Sequence, residues 1–172
     1  VILSRTQNVS EEKLKTAIEL IKSVNPNAHI ITTPWDDIDG TKILGAMENV
    51  TNLELDMLAE AAQKAYEEHE KEHHHHHHHH ADDVFSSWGT ETPKKYEKAE
   101  LDSILKKLSE SEDYGKVLRS KGMLPCTDGT WMYFDLVPEE YEIREGSADF
   151  TGRICVIGSE LKEDALKELF EV

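Results

Sequence analysis

The chain has 172 residues, 38% of them apolar, enough for one domain or two small ones. Thirty-five Asp and Glu against nineteen Lys and Arg leave a net charge of -16, which opposes binding to phosphate backbones and anionic bilayers. No apolar run approaches the roughly 20 residues that cross a bilayer, and no signal peptide opens the sequence. Nucleic acid and membrane are therefore excluded as expected partners, and a soluble cytoplasmic protein is expected. Cys126 and Cys155 stand far apart with no C-x-x-C pair, which reads as two reduced structural thiols.

Val1-Ile2-Leu3 is a short apolar run of the buried-strand kind, ended by the polar turn Ser4-Arg5-Thr6-Gln7-Asn8. The run begins without a methionine, and a piece of a longer protein is expected. Ser10 stands at a helix N-cap, Glu11 and Glu12 suit the positive end of the helix, and Leu14, Ala17, Ile18 and Ile21 repeat at helical spacing. Asn25-Pro26-Asn27 stops that helix. Ala28 to Thr33 reads as the next strand, giving a β-α-β unit with parallel pairing, and His29 at its start reads as structural. Asp36-Asp37-Ile38-Asp39-Gly40 is a solvated turn before a short helix through Ile43, Leu44 and Met47. A further helix is predicted from about residue 52 to 72, striped by Leu55, Leu58, Ala62 and either Ala65 or Tyr66.

That helix runs into eight consecutive histidines, His73, His74, His75, His76, His77, His78, His79 and His80, preceded by His69. Glu67, Glu68, Glu70 and Glu72 lead in and Asp82 and Asp83 follow, so an imidazole core is edged with carboxylates. Neutral imidazole is a ligand for Zn, Co, Ni and Cu, and carboxylates complete a coordination sphere and concentrate cations. The composition points to metal handling without choosing the metal. The competing readings are a solvated linker and an inserted purification tag, although patterned sequence continues for some ninety residues beyond.

Beyond the tract the pattern is globular again. Val84 to Trp88 reads as a strand ended by Gly89, and Leu101, Ile104, Leu105 and Leu108 mark an amphipathic helix from about Glu97 to Ser109. Three strand-like runs follow, Lys116 to Leu124, Thr130 to Val137 and Tyr141 to Glu145, with Asp128-Gly129 as a hairpin turn. Gly152 to Gly158 makes another strand, and Ser159 is expected to cap a last helix carrying Leu161, Ala165, Leu166, Leu169 and Phe170. The second half thus reads β-α-β-β-β-β-α, an α+β unit. Arg119 and Lys121 on one strand are either edge cations that discourage aggregation or a partner-docking pair. Trp131, Tyr133 and Phe134 read as core.

This order of parts resembles the CobW-like family of GTP-dependent metallochaperones. The residues that carry the resemblance are Asn25-Pro26-Asn27-Ala28 before the second strand, and Leu118-Arg119-Ser120-Lys121-Gly122, similar to the family's L-R-x-K-G segment. The resemblance implies a truncated parallel α/β piece of a P-loop GTPase domain over residues 1–50, a helix and His-rich linker over 51–81, and a CobW C-terminal-like α+β domain over 82–172. It implies Zn or Co as metal, GTP in the full-length parent, and a metal-receiving client protein as partner. Ser4, Arg5 and Gln7 fall at the family's N-K-x-D guanine-reading turn. Gln7 places an amide where the family has a carboxylate, which weakens the expected selection for guanine. No G-x-x-x-x-G-K-[ST] phosphate loop occurs, so this stretch is not expected to hydrolyse nucleotide alone.

Overall fold

The computed structural model describes residues 1–4, 6–34, 36–47, 57 and 86–172. In the first unit Ile2 and Ile31 form a parallel bridge. The Leu3 N-H donates to the Ile31 carbonyl at 3.0 Å, and the Ile31 N-H donates to the Val1 carbonyl at 2.9 Å. The parallel β-α-β connection is therefore present in minimal form, with α1 (Glu11–Val24) as its crossover. Ser10 occupies the N-cap with extended backbone, yet its hydroxyl makes no capping bond, which leaves Glu11 and Glu12 to complement the helix end. Asn25 terminates the helix, and its side-chain Oδ1 accepts from the Asn27 N-H at 3.2 Å.

α2 (Gly40–Met47) follows a turn in which Asp39 Oδ1 accepts from the Thr41 N-H at 2.8 Å and the Thr41 hydroxyl at 2.6 Å. Those two bonds hold the Asp39 carboxyl below its ordinary range. The helix predicted over 52–72 lies outside the described residues except for Met57, which is buried.

The second unit is a five-stranded antiparallel sheet built from β1 (Ser86–Thr92), β2 (Lys116–Pro125), β3 (Trp131–Val137), β4 (Glu140–Gly146) and β5 (Gly152–Ser159), in the order β1-β5-β2-β3-β4. Helix α3 (Lys98–Glu110) follows β1 and helix α4 (Glu163–Phe170) follows β5, so the β-α-β-β-β-β-α order holds. Period-two alternation sends Met132, Phe134 and Leu136 of β3 to one face, where they join Leu101, Ile104, Leu105 and Leu108 of α3 and Leu166 and Phe170 of α4. The Phe170 ring stacks against Trp88 at 6.0 Å and Phe134 at 6.4 Å. Helix α3 starts on a capping box, with Glu97 and Glu100 each accepting from the other's backbone N-H. Gly129 takes φ of +90° in the Asp128-Gly129 turn, a conformation that costs glycine little.

Two elements differ from the sequence expectation. Gly89 does not end β1, because it pairs with Cys155 and the ladder continues to Thr92 opposite Gly152. A complete partner strand holds glycine extended against its weak intrinsic preference. Ser159 does not cap α4 either. It is the last rung of β5, opposite Lys116, and the chain turns through Glu160 before α4 begins with Lys162 at its N-cap.

Candidate functional site

The two units meet along the end of the second parallel strand. The backbone N-H groups of Thr32 and Thr33 both donate to the Phe150 carbonyl, at 2.8 and 3.2 Å. The Thr33 hydroxyl donates to the Asp149 carbonyl and the Thr32 hydroxyl to Thr151 Oγ1. Asp149 is buried and paired with Arg153, and Lys42 of α2 approaches the same carboxylate at 3.9 Å. His29 sets its Nδ1 3.3 Å from Glu91 Oε1 of β1, whose other oxygen is 3.4 Å from Lys22 Nζ.

Beside this seam lies a cavity of about 80 Å³. The first unit supplies Thr6, Gln7, Leu14, Thr32, Thr33, Pro34 and Asp37, and the second supplies Pro93, Lys95, Pro125, Trp131 and the turn from Cys126 to Thr130. The cavity sits past the carboxyl ends of the two parallel strands, where ligands of parallel α/β folds bind. Thr6 is buried and its Oγ1 has no hydrogen-bond partner. Burial pushes the Cys126 thiol up, so it lines the wall as a neutral group.

The base-reading turn expected from the sequence is divided by this geometry. Gln7 reaches the cavity, Ser4 is exposed at the end of its strand, and Arg5 lies outside the described residues. His69 and His73 to His80 also lie outside them. Among the described residues no three His, Cys, Asp or Glu side chains gather as a metal site. Thr6 and Trp131 enter the cavity without having been singled out for it by sequence. A threonine inside a polar turn carries no sign of burial, and Trp131 gives only the signal of a core aromatic.

Residues 85–172 match the family model of the cobalamin synthesis protein cobW C-terminal domain. The chain belongs to the CobW family. Among solved structures it is similar to the Zn(II)-bound YjiA GTPase from E. coli, at 21% identity with a TM-score of 0.45, over 99% of this chain and 50% of that one. It is also similar to a Zn(II)-bound triple mutant of YjiA GTPase, at 20% identity with a TM-score of 0.45 over the same shares. The chain thus spans about half the length of the solved structures it matches. No curated protein matches it.

Within this CobW chain the Leu118 to Gly122 segment is the middle of β2, and three of its residues hold the sheet. The Ser120 hydroxyl, fully buried, donates to the Cys155 carbonyl at 2.9 Å. Lys121 Nζ lies 3.7 Å from Asp135 of β3, which in turn accepts from Arg144 of β4 at 2.6 Å. Gly122 lies under the Phe134 ring, and a Cβ there would collide with it. Arg119 shares the face of Lys121, two residues away on the same strand.

Proposed function

We propose that this CobW-family chain handles a divalent metal, Zn or Co, as cargo on its histidine tract and passes it to a client protein. The carrying observation is the match of residues 85–172 to the cobW C-terminal domain, joined in one chain to eight histidines edged by acidic residues. Imidazole binds these ions as the neutral base, and both cysteines are buried in the second unit, away from that role. Residues 1–50 act in this reading as the end of a P-loop GTPase domain, 51–81 as the linker and 82–172 as the client-facing domain, in the cytoplasm. Lys121, which pairs with Asp135 beside Arg144, and Arg119 on the same strand are the proposed client contacts. GTP serves the longer parent, and Ser4, Arg5 and Gln7 form its altered base-reading turn.

A second reading, a metal buffer independent of nucleotide, is favoured by the amide of Gln7 in place of a carboxylate. Calorimetric titration of Zn, Co and Ni into the chain, with and without residues 73–80, tests the metal role. Loss of most of the binding on deletion is expected, together with weakening as pH falls through about 6.5, where imidazole protonates. Unchanged stoichiometry and affinity after deletion would overturn the assignment.

A further inference from the structure

We propose that the groove between α1 and the outer edge of β1 docks a basic, extended segment of a partner protein, which adds to the sheet as a strand beside β1. β1 ends the sheet, with β5 on its inner side and no strand on its outer side among the described residues. An open edge presents a row of backbone donors and acceptors, and folded proteins guard such edges with charged side chains. β4, the opposite edge, is guarded in this way by Glu140, Glu142, Arg144 and Glu145. β1 reads Ser-Ser-Trp-Gly-Thr-Glu-Thr, and its one charge, Glu91, is taken up by Lys22 of α1 at 3.4 Å. One edge of the sheet is guarded against pairing and the other is not.

The surroundings of that edge decide which strand it takes. α1 and β1 bound a groove of about 400 Å³, within the roughly 300–1,000 Å³ of recognition pockets. Glu11, Lys15, Ile18 and Glu19, spaced for one helix face, form one wall with Glu12, and Thr90, Thr92 and Pro93 form the other. Ile18 and Pro93 supply apolar surface. Glu11, Glu12 and Glu19 are exposed and have no ion-pair partner among the described residues. Lys94, by contrast, is held by Glu100 and Glu171, each at 2.8 Å. Five carboxylates in the lining, with Glu91 and Glu171 added to those three, stand against the two ammonium groups of Lys15 and Lys94. A basic segment matches that field and an acidic one is repelled. The β1 strand of a second copy would bring Glu91 and no cation, so self-pairing does not answer the charge. Nor do the carboxylates gather as a cation site, since no three His, Cys, Asp or Glu side chains do so among the described residues.

A strand added to an edge draws affinity from main-chain hydrogen bonds and specificity from its alternate side chains. Cations at alternate positions of the partner segment therefore reach the glutamates of α1 while its backbone pairs with Thr90 to Thr92. The groove is separate from Arg119 and Lys121, which lie on β2 with β5 between them and β1. Docking here does not depend on the metal carried by the histidine tract.

The probe is a soluble peptide of about eight residues, the length of an ordinary strand, alternating Lys with Thr or Val. Nuclear magnetic resonance titration of the 172-residue chain with it should shift Gly89 to Thr92 together with Lys15, Ile18 and Glu19, and slow amide exchange along β1. Affinity should fall as salt is raised, because the rim is exposed. Glu19→Gln, a change on the helix surface, should weaken binding about two- to fivefold. N-methylation of alternate peptide amides separates strand pairing from charge attraction. Methylating the set that faces β1 should abolish binding, and methylating the other set should leave it within about twofold. Absence of binding, equal effects of the two methylated sets, equal binding of a peptide with Glu for Lys, or shifts confined to other surfaces would overturn the proposal. So would the same shifts appearing on concentrating the chain alone, which would put a second copy on the edge. Magnesium chloride producing them at matched ionic strength would make the rim a cation site and would likewise overturn it.

Discussion

The two units solve the problem of burying apolar surface in opposite ways. The second has a core of its own, in which Tyr96, Leu101, Leu105, Leu124, Phe134, Val156, Leu166 and Phe170 are each 1% exposed or less. The first has no buried residue on α1, and Leu20 and Val24 on that helix are 68% and 83% exposed. The apolar cluster containing Ile31 and Ala46 is completed by Phe150, which belongs to the second unit. A parallel pair buries both its faces only against neighbours. Here one of those neighbours is the loop before β5, so the first unit's cluster is completed by the second, whereas the main core of the second is built from its own residues.

The strongest way to break this comparison is to remove the centre of the self-sufficient core. Phe134→Ala should cost about 3–5 kcal/mol in urea unfolding, because the ring is buried between Gly122 and Phe170. Amide exchange should then rise in both units together, since the first leans on Phe150. If residues 28–33 kept their protection in that variant, the dependence would be refuted.

A cut at the seam sharpens the contrast. Thr33→Val removes the hydroxyl that donates to the Asp149 carbonyl, at a cost of about 1–3 kcal/mol for a buried acceptor left unpaired. Faster exchange is expected around Ala28 to Thr33 with β2, β3 and β5 unchanged. A uniform loss of protection across the sheet would show instead that the units unfold as one.

The smallest expected effect belongs to the surface of the second unit. Glu171 accepts from Lys94 Nζ at 2.8 Å, which holds its carboxyl below the ordinary 4.5. A depressed carboxylate adds stability that is present above about pH 4.5 and disappears as the pH falls through the lowered value. The contribution is small because the group is exposed and screened. Carbon-detected titration of Glu171 should give a midpoint that returns to the ordinary range in Lys94→Met, and an unmoved midpoint would show that the pairing does not persist in solution.

Local chemistry in the sequence was enough to specify most elements of the second unit. The spacing of Leu101, Ile104, Leu105 and Leu108 marks α3, the Asp128-Gly129 pair marks the β2-β3 turn, and period-two alternation marks β3. Those signals are set by neighbours a few residues away. The same holds for Ser10 and the Asn25-Pro26 stop, which bracket α1 within one residue. The family resemblance was legible in Leu118 to Gly122, and the structure supplies the physical content, a glycine that makes room for the Phe134 ring and a serine bonded across to β5.

Tertiary structure decided the rest, because long-range pairing outweighs a local preference. Gly89 remains in β1 since β5 offers it a full ladder, and Ser159 is held as a rung opposite Lys116 before it can cap a helix. The cavity depends still more on the fold. Thr6 and Trp131 are 125 positions apart in the chain, and nothing near either one indicates that they share a wall. The sequence by itself determined α1, α2 and α3, the Asp128-Gly129 turn, the order of the strands along the chain and the family. Only the packing of the two units decided that Thr6 would be buried without a partner, that Gln7 would open onto the second unit, and that Phe150 would close the first unit's core, because each depends on which surfaces the folded chain brings together.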